Sequence, residues 1–206
     1  KIIGNLALLI LLSKFSVNFS RVFLYGLIFS LCIFPLSVKA RQTSPKKDLC
    51  IVIDPGHGGI QSGTQRGTVE EKTLNLKIAQ YLKEALEKYK GVTVSLTRDG
   101  DYDVSLTDRT QYSVDKNADL MVSIHNNATG DCAAYDSGCT VLAAKDGYKQ
   151  EFADEEQKLA CNILNELSAL GIENQGILLR DSEANEKYEN GELADYYAII
   201  RGGVLK

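Results

Sequence analysis

The stretch IVIDPGHGG, residues 51–59, joins an apolar run to a turn that holds one of the two histidines of the chain. The first three residues of this stretch and the two residues before it form LCIVI, a continuous apolar run over residues 49–53. A run of this length and composition is typical of a strand buried on both faces. The Pro-Gly pair predicts a sharp reversal after that strand. The two glycines that follow His57 leave room for a ligand to approach the imidazole closely. The stretch therefore predicts a buried first strand with a histidine at its carboxyl end.

The rest of the chain alternates strand and helix patterns. Apolar residues at helical spacing predict a helix over residues 70–89, and Ser105, with Asp108 three positions on, predicts the capped start of another over 105–118. Further runs predict strands at 92–96, 119–124, 139–144 and 175–179, and a helix at 150–170. This order predicts one layered α/β domain with a mostly parallel twisted sheet flanked by helices.

The second histidine, His125, directly follows the predicted strand 119–124. The carboxyl ends of parallel strands share one sheet edge, where ligands bind, so we expect His57 and His125 to converge. Two imidazoles suit zinc, whose catalytic sites hold three protein ligands and one open position. Glu70 and Glu71, in the first turn of the helix predicted at 70–89, are candidates for the third ligand, although acidic residues also favour helix N-termini electrostatically.

The first fifty residues differ in composition from the rest, with seven Lys or Arg residues against Asp48 alone. Basic residues, the apolar run VFLYGLIFSLCIFPL and then SVKA predict a signal peptide over residues 1–40, cleaved after Ala40, with an uncleaved membrane segment as the alternative. Residues 41–48 form a polar linker, and the domain spans 49–206. In an exported protein, Cys132 and Cys139 are candidates for a disulfide that closes a short loop, with free thiols as the alternative.

Four segments carry a family resemblance: IVIDPGHGG, EEKTLNLKIAQYLKEAL, VTVSLTRDGD and SLTDRTQYSVDKNADLMVSIHNNA. In order and spacing they resemble the zinc-dependent N-acetylmuramoyl-L-alanine amidases, which hydrolyse the amide between N-acetylmuramic acid and L-alanine in bacterial peptidoglycan. The resemblance implies one Zn²⁺ per chain, held by His57, Glu71 and His125. It leaves Glu70 as a charge at the helix end.

The resemblance also implies a glutamate general base on a strand near the end of the domain. No such glutamate precedes Lys206, so we expect the base beyond Lys206 and the end of the domain to be missing. Four acidic residues after residue 178 are interpreted as solvated surface: Glu183, Glu186, Glu189 and Glu192.

Other positions match the family pattern and suggest supporting roles. We expect charge pairs that tie loop ends to helices at Arg98, Asp101, Asp103 and Arg109. Asn126 and Asn127 are candidates for substrate binding, and we expect the loop over residues 126–138 to line the substrate groove.

The sequence therefore predicts a secreted or cell-envelope enzyme whose partner is peptidoglycan. A membrane contact is expected only through the N-terminal signal or anchor. The acidic domain lacks a basic or aromatic stripe, which argues against nucleic acid as a partner. Two alternatives stay open: a catalytically inactive peptidoglycan-binding module of the same fold, and another zinc hydrolase such as a peptidase or deacetylase.

Overall fold

The computed structural model describes residues 48–126, 138–147 and 149–202. Within these ranges the chain forms seven strands and four helices. The strands are β1 (Leu49–Pro55), β2 (Gln65–Arg66), β3 (Val69–Glu70), β4 (Val92–Leu96), β5 (Leu120–Ile124), β6 (Cys139–Leu142) and β7 (Asn174–Leu178). The helices are α1 (Glu71–Leu86), α2 (Leu106–Asp115), α3 (Gln150–Ala169) and α4 (Ala198–Gly202).

The main sheet is parallel, with the strand order β4-β1-β5. Strands β6 and β7 form a second parallel pair, and β2 and β3 form a small antiparallel hairpin. In the β1–β5 register, Asp54 lies opposite Ser123 and Pro55 opposite Ile124. This confirms the predicted α/β class and places the chain segments that follow β1 and β5 at the same sheet edge.

The core forms between the central strand and the helices that pack on it. Val52 and Ile53 of β1 have no exposed surface. Ile78 and Ala79 of α1 pack into the same apolar cluster, since the helix places one residue in every three or four towards the sheet. Residues of α3, including Leu164, complete the cluster beside β6 and β7.

Helix α1 is shorter than the predicted span of residues 70–89. It ends at Leu86, and the Tyr89 N–H then bonds the Leu86 carbonyl in a turn. Gly91 has a φ of 80°, a left-handed conformation that glycine adopts without steric cost, and its carbonyl accepts from the Leu49 N–H at 2.7 Å. The chain therefore leaves the helix early in order to enter β4 beside β1.

A cavity of about 970 Å³ lies between β5 and β6. His57 and His125 line one part of it, and apolar residues of β5, β6, α3 and α4 line the rest, among them Leu120, Val141, Phe152 and Ile199. Within the described residues, the facing edges of β5 and β6 have no strand between them. No helix in the described ranges is long and apolar enough to cross a membrane.

Truncation of the central strand should destabilise the fold. Ile53→Ala removes a fully buried side chain and is expected to lower the free energy of unfolding by about 2–5 kcal/mol, from lost burial and the cavity left behind. Urea denaturation measures it. Ile60→Ala is the control, because Ile60 is 93% exposed and its truncation should change stability by less than about 0.5 kcal/mol. Equal effects of the two substitutions would contradict this core assignment.

Glu156 of α3 should make stability depend on pH. Burial, reinforced by the nearby Asp195 charge, raises the pKa of Glu156 above its ordinary value, although the Ala144 N–H bonds its carboxylate and acts in the opposite direction. A raised folded-state pKa means that this group costs stability once the pH passes above its unfolded value.

Glu156→Gln keeps an acceptor for Ala144 without the charge. It is expected to unfold at higher urea concentration than the wild type at pH 7, with the difference vanishing below about pH 4, where the carboxyl is protonated in both states. The exposed neighbour gives the control Glu155→Gln, which should show no such pH-dependent gain. A gain that persists undiminished at low pH would refute the electrostatic cause.

Candidate metal centre

His57 follows β1 in an unusual backbone conformation. Its φ is 61°, in the left-handed region that residues other than glycine seldom adopt. Its carbonyl accepts a hydrogen bond from Nη2 of Arg109 at 2.8 Å. This conformation turns the chain back over the sheet edge.

Glu71 begins α1, directly after the β2–β3 hairpin. One carboxylate oxygen, Oε1, lies 3.3 Å from Nε2 of His57 and 3.0 Å from Nδ1 of His125. The other, Oε2, accepts from the Thr64 N–H at 2.8 Å. Glu70 points instead towards Lys72, at 3.5 Å. The structure therefore brings Glu71, rather than Glu70, to the two histidines.

The hairpin that delivers Glu71 was not predicted, because the sequence of residues 60–69 resembles a plain loop. Its strands are only two residues long. The backbone N–H groups of Glu71 and Lys72 donate to the carbonyls of Thr64 and Ser62. These bonds give the first turn of α1 a fixed place beside the turn that holds His57.

Glu71 is only 3% exposed, and its carboxyl group is nevertheless ionised. Burial by itself would raise its pKa, but hydrogen bonds with His125 and His57 and from the backbone N–H groups of Thr64 and Asn126 outweigh burial, so the pKa lies far below its usual range. A buried carboxylate that stays ionised supplies the negative charge that a cation site needs.

The three side chains have the geometry of a single-ion shell. One ligating atom from each of His57, Glu71 and His125 lies within 4.8 Å of the others, and the two imidazole rings stand at 79° to each other. A tetrahedral zinc with bonds of 2.0–2.1 Å needs ligand atoms about 3.3 Å apart. The separations of 3.0 and 3.3 Å around Glu71 lie close to that spacing, and all three ligating atoms fall within 4.8 Å of one another.

Two glycines allow these side chains to lie so close. A Cβ on Gly56 would fall 2.3 Å from Nε2 of His125. A Cβ on Gly63 would fall 2.6 Å from both Oε2 of Glu71 and the ring of His57. Contacts this short do not occur for real side chains, so the site depends on the missing methyl groups.

Asn75 and Asn126 donate hydrogen bonds to the carboxylate of Glu71 and to the groups around it. The Asn126 N–H donates to Oε1 of Glu71 at 2.9 Å, and its Nδ2 donates to Oδ1 of Asn75 at 2.6 Å. Asn75 in turn donates to the carbonyl of Gly56 at 3.0 Å. Asn126 is only 1% exposed and lies in this network, while its contact with substrate stays a prediction. Asn75 stands in the motif segment EEKTLNLKIAQYLKEAL, but no role was expected for it; its local signal is a polar residue on the apolar face of α1.

Of the four residues expected to form charge pairs, Asp101 and Arg109 do so, whereas Arg98 and Asp103 contact backbone groups. Arg98 donates to backbone carbonyls, and Arg109 pairs with Asp54 at 2.6 Å. Asp101 accepts from Lys72 of α1 at 2.8 Å, and Asp103 accepts from the Ile60 N–H. Burial and the proximity of Arg109 lower the pKa of Arg98. These residues surround the turn after β1 without being placed among the ligands.

Some predicted residues lie outside the described part of the chain. Asn127 and Cys132 are among them, as is most of the loop over 126–138. Cys139 is buried at the start of β6, and its pairing with Cys132 stays a prediction. The four acidic residues interpreted as solvated surface are all exposed: Glu183, Glu186, Glu189 and Glu192.

A comparison with known protein families matches residues 51–199 to the family described as N-acetylmuramoyl-L-alanine amidase. The match spans the three candidate ligands and more than half of the chain. The chain belongs to this amidase family. The resemblance found in the sequence motifs is thereby confirmed.

Individual relatives agree with this assignment. The chain is 41% identical to the probable cell wall amidase LytH of Staphylococcus saprophyticus over 54% of its own length and 36% of the relative. It is 46% identical to the sporulation-specific N-acetylmuramoyl-L-alanine amidase of Bacillus subtilis over 39% of the chain and 32% of the relative. The chain thus matches about a third of the length of these relatives.

A solved structure shares the amidase fold. The N-acetylmuramoyl-L-alanine amidase from Clostridium difficile 630 superposes with a TM-score of 0.56 at 31% identity, over 64% of this chain and 69% of that one. The α/β architecture described above is therefore that of an amidase catalytic domain.

Gly56→Ala tests the close packing of this candidate metal site. The new methyl group would displace the His125 ring, so zinc affinity should fall by at least about 10-fold, measured by competition with a chromophoric chelator. Gly67→Ala is the control: Gly67 has a φ of 60° but open space around it, so the substitution strains the backbone without touching a ligand. Unchanged zinc affinity in Gly56→Ala would refute the steric assignment.

Proposed function

We propose that this chain carries a zinc-dependent amidase domain that hydrolyses the bond between N-acetylmuramic acid and L-alanine in bacterial peptidoglycan. The observation that carries the proposal is the convergence of His57, Glu71 and His125 in a chain of the amidase family. Fold alone would not suffice, because one fold supports many activities.

The donor set suits zinc. Two imidazole nitrogens and one carboxylate oxygen form the ligand set found in catalytic zinc sites, where a fourth position remains for water or substrate. Calcium and magnesium prefer sites built from oxygen ligands. His57, Glu71 and His125 would hold the ion, with one ligand from each of three separate chain segments.

Zinc bound there would polarise the scissile carbonyl and lower the pKa of a bound water. The protein supplies the geometry. Glu71 accepts from Asn126, Asn75 and Thr64, so its carboxylate is oriented by bonds that do not depend on the ion. His57 and His125 line the cavity beside β5, which leaves one side of the site open to an incoming substrate.

We propose, from the family resemblance, that the general base is a glutamate on a strand beyond Lys206. The cavity between β5 and β6 supports a strand at this place, because it is flanked by two strand edges and reaches both histidines. Within the described residues, Glu71 is the carboxylate in ion-pair contact with either histidine. A ligand carboxylate is committed to the ion, so another group is needed to move the proton.

We also propose a cell-envelope location. Relatives of the chain are named as cell wall amidases. A signal peptide or membrane segment over residues 1–40 would direct the domain across the membrane, where its substrate lies.

Zinc content tests the ligand set. The wild type is expected to hold one zinc per chain, and His57→Ala, Glu71→Ala and His125→Ala are each expected to lose it, measured by metal analysis after gel filtration. Glu70→Ala is the matched control, since Glu70 neighbours Glu71 but contacts Lys72, and it should keep its zinc. A folded wild type without zinc would remove the basis of the proposal.

Product analysis tests the reaction. Purified peptidoglycan treated with the zinc-loaded protein, extended beyond Lys206 to include the proposed base, should release stem peptides with a new free amino group on L-alanine, detected by amine labelling and mass spectrometry. Binding to peptidoglycan with no such product would favour the inactive module. Cleavage elsewhere in the peptide, or loss of N-acetyl groups, would favour the other zinc hydrolases.

A further inference from the structure

Three consecutive carbonyls at the turn after β1 accept from two buried guanidinium groups. The Pro55 carbonyl accepts from Nε of Arg98 at 2.9 Å and from Nη1 of Arg109 at 2.8 Å. The Gly56 carbonyl accepts from Nη2 of Arg98 at 3.0 Å, and the His57 carbonyl from Nη2 of Arg109 at 2.8 Å. We call Arg98 and Arg109 the arginine pair. The turn that presents His57 is thus held through its backbone, one residue after another.

Arg109 acts on His57 directly. It is 4% exposed, and Asp54 compensates its charge. Asp54 is itself held by the hydroxyl groups of Thr97 and Ser123. This anchor leaves the second guanidinium nitrogen to donate to the carbonyl of His57, whose left-handed backbone needs support from its surroundings to persist.

Arg98 acts between two ligands. It is 1% exposed, and its Nη2 donates both to the Gly56 carbonyl and, at 2.7 Å, to the Lys72 carbonyl. Gly56 precedes His57, and Lys72 follows Glu71. One nitrogen therefore joins the chain segment of the first ligand to that of the second. A planar guanidinium with several donors at fixed angles makes such a bridge, and a lysine ammonium does not reproduce it.

We propose that the arginine pair consists of positioning residues for the metal centre, which hold His57 and Glu71 at ligating separation before an ion binds. The proposal rests on the proposed function in that zinc is the ion. Outer groups that orient ligands commonly change metal affinity by about 10–100-fold when removed. The two guanidinium groups reach the ligand segments through the backbone carbonyls of Pro55, Gly56, His57 and Lys72.

A purely structural role makes a different forecast. If the pair only stabilised the fold, a variant would unfold more readily, but its folded fraction would bind zinc as tightly as the wild type. Metal affinity measured well below the unfolding transition separates the two roles.

The test uses Arg109→Lys and Arg98→Lys, which keep the positive charge but lose the planar set of donors. Arg201→Lys is the matched control. Arg201 lies on α4, donates to the carbonyls of Asp195 and Tyr196 and pairs with Glu186, and these three partners all precede α4 in the chain. Zinc affinity is measured by chelator competition, and the visible spectrum of the cobalt-substituted protein reports the coordination geometry. Hydrogen exchange of the backbone at residues 56–59 is measured on the metal-free proteins.

Each arginine-pair variant is expected to bind zinc about 10–100-fold more weakly, with an altered cobalt spectrum and exchange at residues 56–59 at least about 10-fold faster than in the wild type. Arg201→Lys should leave all three unchanged. Wild-type zinc affinity and exchange in folded Arg109→Lys and Arg98→Lys would overturn the proposal. If the wild type bound no zinc but the arginine-pair variants still showed faster exchange, the proposed function would fall while the positioning of His57 would stand.

Discussion

The pairing of β1 with β5 decides where both histidines lie. The two strands are parallel and in a register that sets Asp54 opposite Ser123. Each strand then ends at the same sheet edge, and the next residues out carry His57 and His125. Since side chains alternate between faces with a period of two, a slip of one residue in this register would turn the partner residues to the wrong face. The hydrogen bond from Ser123 to Asp54 at 2.7 Å marks the register with a buried polar contact.

The same Asp54 forms a buried ion pair with Arg109, and this pair orients side chains more than it stabilises the fold. Asp54 and Arg109 are 1% and 4% exposed, and the cost of removing two charges from water offsets much of their attraction. Such a pair adds little net stability compared with apolar residues of the same volume. Its effect here is to fix the orientation of Arg109: Asp54 holds the guanidinium, and the other donors point to the carbonyls of the turn after β1. The sheet thereby fixes the conformation of the residues just beyond its edge.

The sequence predicted the elements that have a regular hydrophobic period and the segments that carry family motifs. Strands β1, β4 and β5, helices α1 to α3 and the convergence of His57 with His125 all follow from hydrophobic period and strand ends. Glu71 was separated from Glu70 only by resemblance, since both stand in the first turn of the same helix. The β2–β3 hairpin makes the distinction physically, yet two-residue strands have no detectable period. Asn75 stands in a motif segment, but its role could not be inferred, because a hydrogen bond from a side chain to a backbone carbonyl leaves no spacing in the sequence.

The charge of the ligand set explains why one carboxylate stands among two imidazoles. Glu71 contributes a buried anion, and four donors on three chain segments keep it ionised, so its charge is present before any cation arrives. Three neutral ligands would need no such support, but they would also give no long-range attraction for a cation in a partly buried site. Two carboxylates would leave the shell electrically neutral around a divalent ion. With one, a divalent ion held by these residues would keep a net positive charge, which would stabilise the negative charge that develops on a carbonyl oxygen during amide hydrolysis. The donors around Glu71 therefore lower the cost of burying its charge, and that single negative charge would leave a bound divalent ion with positive charge to offer a substrate.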